Sequence, residues 1–198
     1  MVRAGANAAL MTCVSEDAVG RFCLHQLDAY SVDRSHVRTV AGEARNSLAV
    51  VESRLENCQS VIYRNGAADF SMTNEDAEAV DYSRFSALIA TGTVLAAEPS
   101  RNAAFRAFKL AREAGLPLIF DIDYRPYSWP SAEVASDVYS RAAKLCDVIV
   151  GNDVEFGFMA GSPERGLDKA RSLIADGGRI VVYKMGEMGA ITITAGGE

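Results

Sequence analysis

The segment Ile119-Phe-Asp-Ile-Asp-Tyr-Arg-Pro-Tyr-Ser-Trp129 gathers two carboxylates, a guanidinium, two tyrosines and the chain's single tryptophan. A short apolar run over 116–120 leads into it and reads as a buried strand that stops at Asp121, Asp123 and Arg125. Pro126 blocks simple continuation, because it has no N–H for a ladder and restricts the residue before it. In an open α/β sheet, ligands sit just beyond the carboxyl ends of the strands. Carboxylates placed there can act as acid and base, and an arginine can take an anionic group with its planar fork. The competing reading is a polar loop after a core strand, with Trp129 packed beneath it. The site reading is preferred.

Three further clusters carry residues of the same kind. Tyr63-Arg64-Asn65-Gly66-Ala67-Ala68 places an arginine at a strand end beside a turn, where it can meet a carboxylate or phosphate. Taken alone, it reads better as a solvated strand-end charge. Gly151-Asn152-Asp153-Val154-Glu155 follows an apolar run over 148–150. Asn152 is a natural N-cap and Glu155 stands three positions on, as in a capping box, so this can be simply a well-started helix. The same residues at a strand's carboxyl end can hold Mg²⁺ through water, next to phosphates. Lys184-Met185-Gly186-Glu187-Met188-Gly189 has glycines that admit close backbone approach to a ligand or serve a plain hairpin. Its spacing is neither a Walker loop nor a dinucleotide fingerprint.

The elements that must position these groups follow from periodicity. From residue 86 onward, strands over 87–91, 117–122, 148–150 and 179–183 alternate with helices over 100–114, 132–145, 154–159 and 163–175. Short apolar strands alternating with longer amphipathic helices make parallel βαβ units covered on both faces. A strand over 190–194 is expected to fold back through a hairpin at 186–189. Ahead of residue 86 come a strand over 8–14, a helix over 16–30 and a segment over 33–40 that leads out. Residues 47–52 and 59–63 then alternate as a half-exposed antiparallel pair, closed by the turn signal Asn65-Gly66. The expected fold class is α/β, with a mostly parallel βα core over 86–198 and a small antiparallel lid at about 45–70.

Bulk properties narrow the function. The chain is 49% hydrophobic and 23% charged, ordinary for a globular protein with room for one good-sized domain. A net charge of −6 argues against a general nucleic-acid or membrane-surface binder, which needs a basic face. It leaves room for an anionic substrate held by a few arginines. The apolar stretches are too short to span a bilayer and the start lacks a signal-peptide core, so a cytoplasmic protein is expected. Cys13, Cys23, Cys58 and Cys146 show no metal spacing. Cys13, Cys58 and Cys146 lie in or beside apolar runs and read as buried thiols. His25 and His36 fall outside any metal-ligand pattern and read as surface or half-buried side chains.

Taken in order, Asp121-Ile-Asp-Tyr-Arg-Pro with Trp129, Asn152-Asp-Val-Glu155 and Lys184-Met-Gly186-Glu-Met-Gly189 resemble the ribokinase-type (PfkB) carbohydrate kinase family. Tyr63-Arg64-x-x-Ala67 and Asp123-Tyr-Arg125-Pro are similar to its acid-sugar branch. Gly20-Arg21-Phe22, followed by Val32-Asp33 and His36-Val37, is similar to the family's segment ahead of the lid, so the resemblance covers nearly the whole chain. It implies a ribokinase-like three-layer fold and Mg·ATP-dependent transfer of the γ-phosphoryl group to a primary hydroxyl of an acidic or keto sugar. It further implies that Tyr63, Arg64, Asp123 and Arg125 meet the sugar acid, with the two arginines on its oxygen-rich end. Asn152 and Glu155 would organise phosphate and Mg²⁺, Glu155 through water, and Lys184, Gly186 and Gly189 would lie near ATP. Asp121 and Asp123 then shape the site rather than remove a proton. Lid strands in the family often pair between subunits, so a homodimer through the lid is a further expectation.

Family members also open on a Gly-Gly-x-x-x-Asn segment that grips the sugar and close on Gly-Ala-Gly-Asp, whose aspartate is the general base. Ala195-Gly-Gly-Glu198 does not match that ending, and the catalytic aspartate is expected beyond residue 198. The chain reads as an internal piece of such a kinase domain. It is expected to be nearly silent alone, because positioning and charge stabilisation supply almost all of phosphoryl-transfer catalysis. A kinase for a different sugar acid, and a non-catalytic binding or assembly module of this fold, stay open as alternatives.

Overall fold

A computed structural model describes residues 1–53 and 59–198, with backbone alone for Gln59 and Ser60. Among the described residues the strands form three sheets. The chain divides into two compact units, Met1–Val80 with Glu98–Ala103 and Asp81–Ala97 with Ala104–Glu198.

The first unit opens with strand β1 (Ala9–Ser15), helix α1 (Ala18–Ala29) and strand β2 (Asp33–Val40). Asp17 starts the helix: its Oδ1 accepts the N–H groups of Val19 and Gly20, both at 2.9 Å. Two donors that a helix start leaves orphaned are thereby satisfied. Gly20, Cys23, Leu24 and Leu27 follow at the i, i+3, i+4, i+7 spacing and form the less exposed face. Position 20 demands glycine, since a Cβ there would stand 1.7 Å from the Ser15 carbonyl oxygen.

Residues 33–40 correct the sequence reading. They do not simply lead out but form β2, parallel to β1 from Ala9↔Asp33 to Ser15↔Val40. Asp33, Arg34, Ser35, Arg38 and Thr39 are all exposed, so no apolar alternation marks the strand. Backbone pairing with β1 decides it instead. Arg38 then ties β2 to helix α2 (Asn74–Glu78), taking both Asp76 carboxylate oxygens and the Ser71 carbonyl at 2.7 Å each. Strands β3 (Leu48–Glu52) and β4 (Gln59–Tyr63) pair antiparallel from Leu48↔Tyr63 to Glu52↔Gln59, as expected, but all five β3 residues are exposed, which corrects the expectation of a half-exposed pair.

The second unit contains one five-stranded sheet in chain order: β5 (Leu88–Thr91), β6 (Leu118–Asp121), β7 (Val148–Asn152), β8 (Ile180–Lys184) and β9 (Ala190–Ile193). The first four strands run parallel and β9 returns antiparallel to β8. Helices α3 (Ser100–Glu113), α4 (Ala132–Lys144), α5 (Asp153–Ala160) and α6 (Gly166–Ala175) make the crossovers. Helices α3 and α4 each turn a stripe of mostly small and aromatic residues inward. In α4 the stripe is Ala135, Val138, Tyr139 and Ala142; in α3 it is Ala104, Ala107, Phe108 and Ala111. Leu118, Phe120, Ile149 and Val181 fill the sheet's interior with 1% exposure or less. Each such side chain contributes about 1.5–3 kcal/mol by leaving water. The helix expected over 163–175 splits at its start, where Pro163–Arg165 forms a 3₁₀ turn ahead of α6.

Cys13 and Cys146 are buried, and burial pushes their thiols up to about 11 and about 12, which suits inert core cysteines. Cys58 lies outside the described residues. His25 is exposed and His36 half-buried. Among the described residues no helix is long and apolar enough to cross a membrane.

Candidate functional site

The parallel order of β5 to β8 brings their carboxyl ends to one edge of the sheet, and Asp121, Asn152 and Lys184 stand at three of them. Beyond Asp121, the Ile122 N–H still donates to the Val150 carbonyl at 2.9 Å. The chain then kinks at Asp123, whose φ of +41° lies in the left-handed region. A short polar side chain tolerates that conformation better than a branched one. The kink points Tyr124 toward α5 and brings Arg125 back on its neighbours. The Arg125 Nη2 pairs with Asp123 Oδ1 at 2.6 Å and its Nη1 donates to the Tyr124 carbonyl at 3.1 Å. A 3₁₀ turn at Pro126–Ser128 follows, and Trp129 packs down on Tyr139 with only 8% exposure. The tryptophan is thus core, as the bland reading of this segment has it, while Asp123 and Arg125 remain partly open to solvent.

Asn152 and Glu155 form a complete capping box at the start of α5. The Asn152 Oδ1 accepts the Glu155 N–H, and Glu155 Oε2 accepts the Asn152 N–H, both at 2.8 Å. Glu155 does more than close the box. Its other oxygen, Oε1, accepts the Tyr124 N–H at 3.1 Å, so one carboxylate joins the ends of β6 and β7. It is 5% exposed, and this desolvation raises its pKa above the ordinary glutamate value. The two amides and Lys184 act in the opposite direction, while Asp121 adds to the rise. Gly151 makes room for the arrangement. A Cβ at that position would lie 2.6 Å from Ile122 Cδ1, 2.9 Å from Phe156 and 3.3 Å from Glu155 Oε2.

Lys184 is in register with Asn152 and reaches Asp121 Oδ1 with its Nζ at 3.8 Å. Each of the two strand-end aspartates therefore faces a cation, Asp121 a lysine and Asp123 an arginine. Gly186 and Gly189 have φ of +57° and +92°, and the Met185 N–H donates to the Gly189 carbonyl at 2.8 Å. Both glycines are needed by the β8–β9 hairpin whatever else they do.

Tyr63 and Arg64 belong to the first unit. Tyr63 is exposed, whereas the Arg64 side chain is only 13% exposed and pairs with Asp69 over the ring of Phe70, 4.3 Å from its centroid. The expectation of a solvated strand-end charge is thus corrected: a carboxylate and an aromatic face take the guanidinium out of bulk water. The second unit brings together Asp121, Asp123, Arg125, Asn152, Glu155 and Lys184, with Gly186 and Gly189 in the adjoining hairpin.

Two contacts escape the sequence reading, one in each unit. Phe158 stacks on Tyr124 with ring centroids 3.8 Å apart and planes 10° from parallel. Asp69 is the ion partner of Arg64. The i, i+3 spacing of Glu155 and Phe158 puts both on one face of α5, the one available signal for the first.

Among the described residues, no group of three or more His, Cys, Asp or Glu side chains is placed to hold a metal ion. Both Glu155 oxygens already accept an amide, so a cation beside it would be met through water rather than directly. Mg²⁺ fits that role, since it keeps several waters and takes other oxygens from substrate phosphates.

Comparison with known proteins adds a context for this geometry. The model of the family described as "pfkB family carbohydrate kinase" matches residues 1–198. The chain is 36% identical to the 5-dehydro-2-deoxygluconokinase of Geobacillus kaustophilus and 35% identical to that of Geobacillus thermodenitrificans, over all of its length and 60% of theirs. It therefore spans about three fifths of these curated relatives. Among solved structures it resembles a PfkB protein from Polaromonas sp. JS666, with a TM-score of 0.86 at 25% identity over 99% of this chain and 66% of the other. A fructokinase from Vibrio cholerae, solved with fructose, ADP and calcium ion bound, gives a TM-score of 0.80 at 25% identity over 98% and 62%.

Proposed function

The chain belongs to the pfkB family of carbohydrate kinases, and on that premise we propose that it is the sugar- and nucleotide-facing part of an ATP-dependent sugar-acid kinase. Its fold is the ribokinase-like α/β fold of that family. The proposed reaction is transfer of the γ-phosphoryl group of ATP to a primary hydroxyl of 5-dehydro-2-deoxygluconate, a step of inositol catabolism. The names of the relatives support the substrate. The observation that carries the reading is the convergence of Asp123, Arg125, Asn152, Glu155 and Lys184 on the carboxyl edge of one parallel sheet, where phosphorylated and sugar ligands are met.

In this reading Arg125 takes the acid end of the sugar, with Asp123 holding its guanidinium in place. Tyr63 and Arg64 are proposed as sugar-acid contacts on the first unit, within a lid at about 45–70, and residues 86–198 as the βα core. Asn152, Lys184, Gly186 and Gly189 are assigned to the nucleotide side, where a lysine at a strand end offsets phosphate charge. Magnesium bound with ATP would neutralise charge developing on the transferred group, with Glu155 meeting it through water. No general base is assigned to Asp121 or Asp123, since each faces a cation.

The test is a coupled ADP-release assay on the protein expressed from its native gene, with 5-dehydro-2-deoxygluconate, 2-keto-3-deoxygluconate and fructose as substrates. The first should give the highest kcat/KM. Preference for 2-keto-3-deoxygluconate would reassign the sugar acid. Residues 1–198 alone should be nearly silent, so the kinase reading is overturned by no phosphorylation of any of them from a protein in which these residues are followed by a Gly-Ala-Gly-Asp segment. Arg125→Ala should raise the sugar KM far more than the ATP KM; equal effects would remove Arg125 from the substrate.

A homodimer through the β3–β4 hairpin is also proposed. Leu48, Val50, Val61 and Tyr63 share one face there and are all exposed, an apolar surface that a second copy would cover. Sedimentation velocity decides the matter, and a monomer at micromolar concentration refutes it.

A further inference from the structure

We propose that helix α5 positions Arg125 by gripping Tyr124 from two sides, Glu155 holding its backbone and Phe158 its ring. Glu155 and Phe158 lie one turn apart on the same face of α5. The first accepts the Tyr124 N–H at 3.1 Å, and the second stacks on the tyrosine ring at 3.8 Å. Tyr139 closes the stack edge-on, 5.9 Å from Tyr124 and 6.3 Å from Phe158.

The grip answers a physical need. A non-glycine residue at φ +41° persists only where the surrounding structure over-determines it. Asp123 is bracketed by the Ile122 N–H on Val150 and the Tyr124 N–H on Glu155, so its backbone has no room to relax. The two groups that fix the Arg125 guanidinium are the Asp123 carboxylate and the Tyr124 carbonyl, and both belong to the residues so held. A shift in the first turn of α5 is therefore passed to Arg125 through Tyr124. Glu155, with its second oxygen on the Asn152 N–H, links the nucleotide-side strand end to the same point. Glu155 and Phe158 are positioning residues in this scheme. That Arg125 meets the substrate rests on the kinase reading, whereas the grip does not.

The test uses the ¹⁵N-labelled protein. In the wild type, the Tyr124 and Asn152 amides should be protected from exchange. Glu155→Met keeps the side chain's length and removes both acceptors. It should speed exchange at Tyr124 by about tenfold to a hundredfold while Ile149 and Val181 keep their protection. Phe158→Ala should move the Arg125 Nε–Hε resonance, and Phe158→Tyr should restore it. A wild-type Tyr124 amide that exchanges at the unfolded-chain rate overturns the grip, as does an unchanged rate in Glu155→Met. If the grip holds but Arg125→Ala leaves the sugar KM unchanged, only the kinase assignment of Arg125 is lost.

Discussion

Asn152 and Glu155 satisfy each other, side chain to backbone in both directions, at 2.8 Å. The pair ends strand β7 and starts helix α5 in one motif. Asn152→Ala removes the acceptor for the Glu155 N–H and should cost about 0.5–2 kcal/mol in a urea unfolding curve. Asn152→Asp keeps an acceptor and should lose much less. Equal losses in the two variants would show that the cap is not what matters at this position.

Asp123 gives a separable measure of backbone strain. Replacing it by glycine or by alanine removes the same carboxylate and the same pairing with Arg125. Only alanine keeps a Cβ at φ +41°. Asp123→Ala should therefore be the less stable variant by about 1–2 kcal/mol of left-handed penalty, reduced by the greater chain entropy of unfolded glycine. Thermal melts of the two side by side check this, and identical midpoints would mean that the segment relaxes out of the kink.

The Arg38–Asp76 pair ties β2 to α2 and should confer a pH-dependent stability. The bidentate hydrogen bonds from Arg38 hold the Asp76 carboxyl below its ordinary 3.8. A carboxyl depressed in the folded state stabilises at pH above its unfolded value, and that stability fades as the pH falls through the folded one. Asp76→Asn should destabilise the protein by about 1 kcal/mol at pH 7, a modest figure because Arg38 is partly exposed. The deficit should shrink progressively below pH 3.8. A deficit that stays constant from pH 7 to pH 2 would locate the effect in packing.

Much of the second unit was legible in the residue order because its elements are specified locally. The alternation of apolar strands with helices from residue 86, the Asn152…Glu155 cap and the glycines of the 186–189 hairpin all depend on neighbours a few positions away. The same motifs carry the resemblance to the family. What the order did not reveal depends on partners far along the chain. Strand β2 exists because β1 pairs with it, not because its own exposed, charged residues alternate. Arg64 reads as a solvated charge until Asp69 and Phe70 fold over it.

The opening segment shows the division most clearly. The residue order alone determined that a buried strand ends in Asp121, Asp123 and Arg125, since a run of apolar residues stopped by charges and a proline admits little else. Only the tertiary structure decided that Asp121 faces Lys184, that Trp129 is core, and that Glu155 from 31 residues away takes the Tyr124 amide. A buried carboxylate between two strand ends needs both ends in place before its hydrogen bonds can offset the cost of its own desolvation. No local pattern can encode that condition.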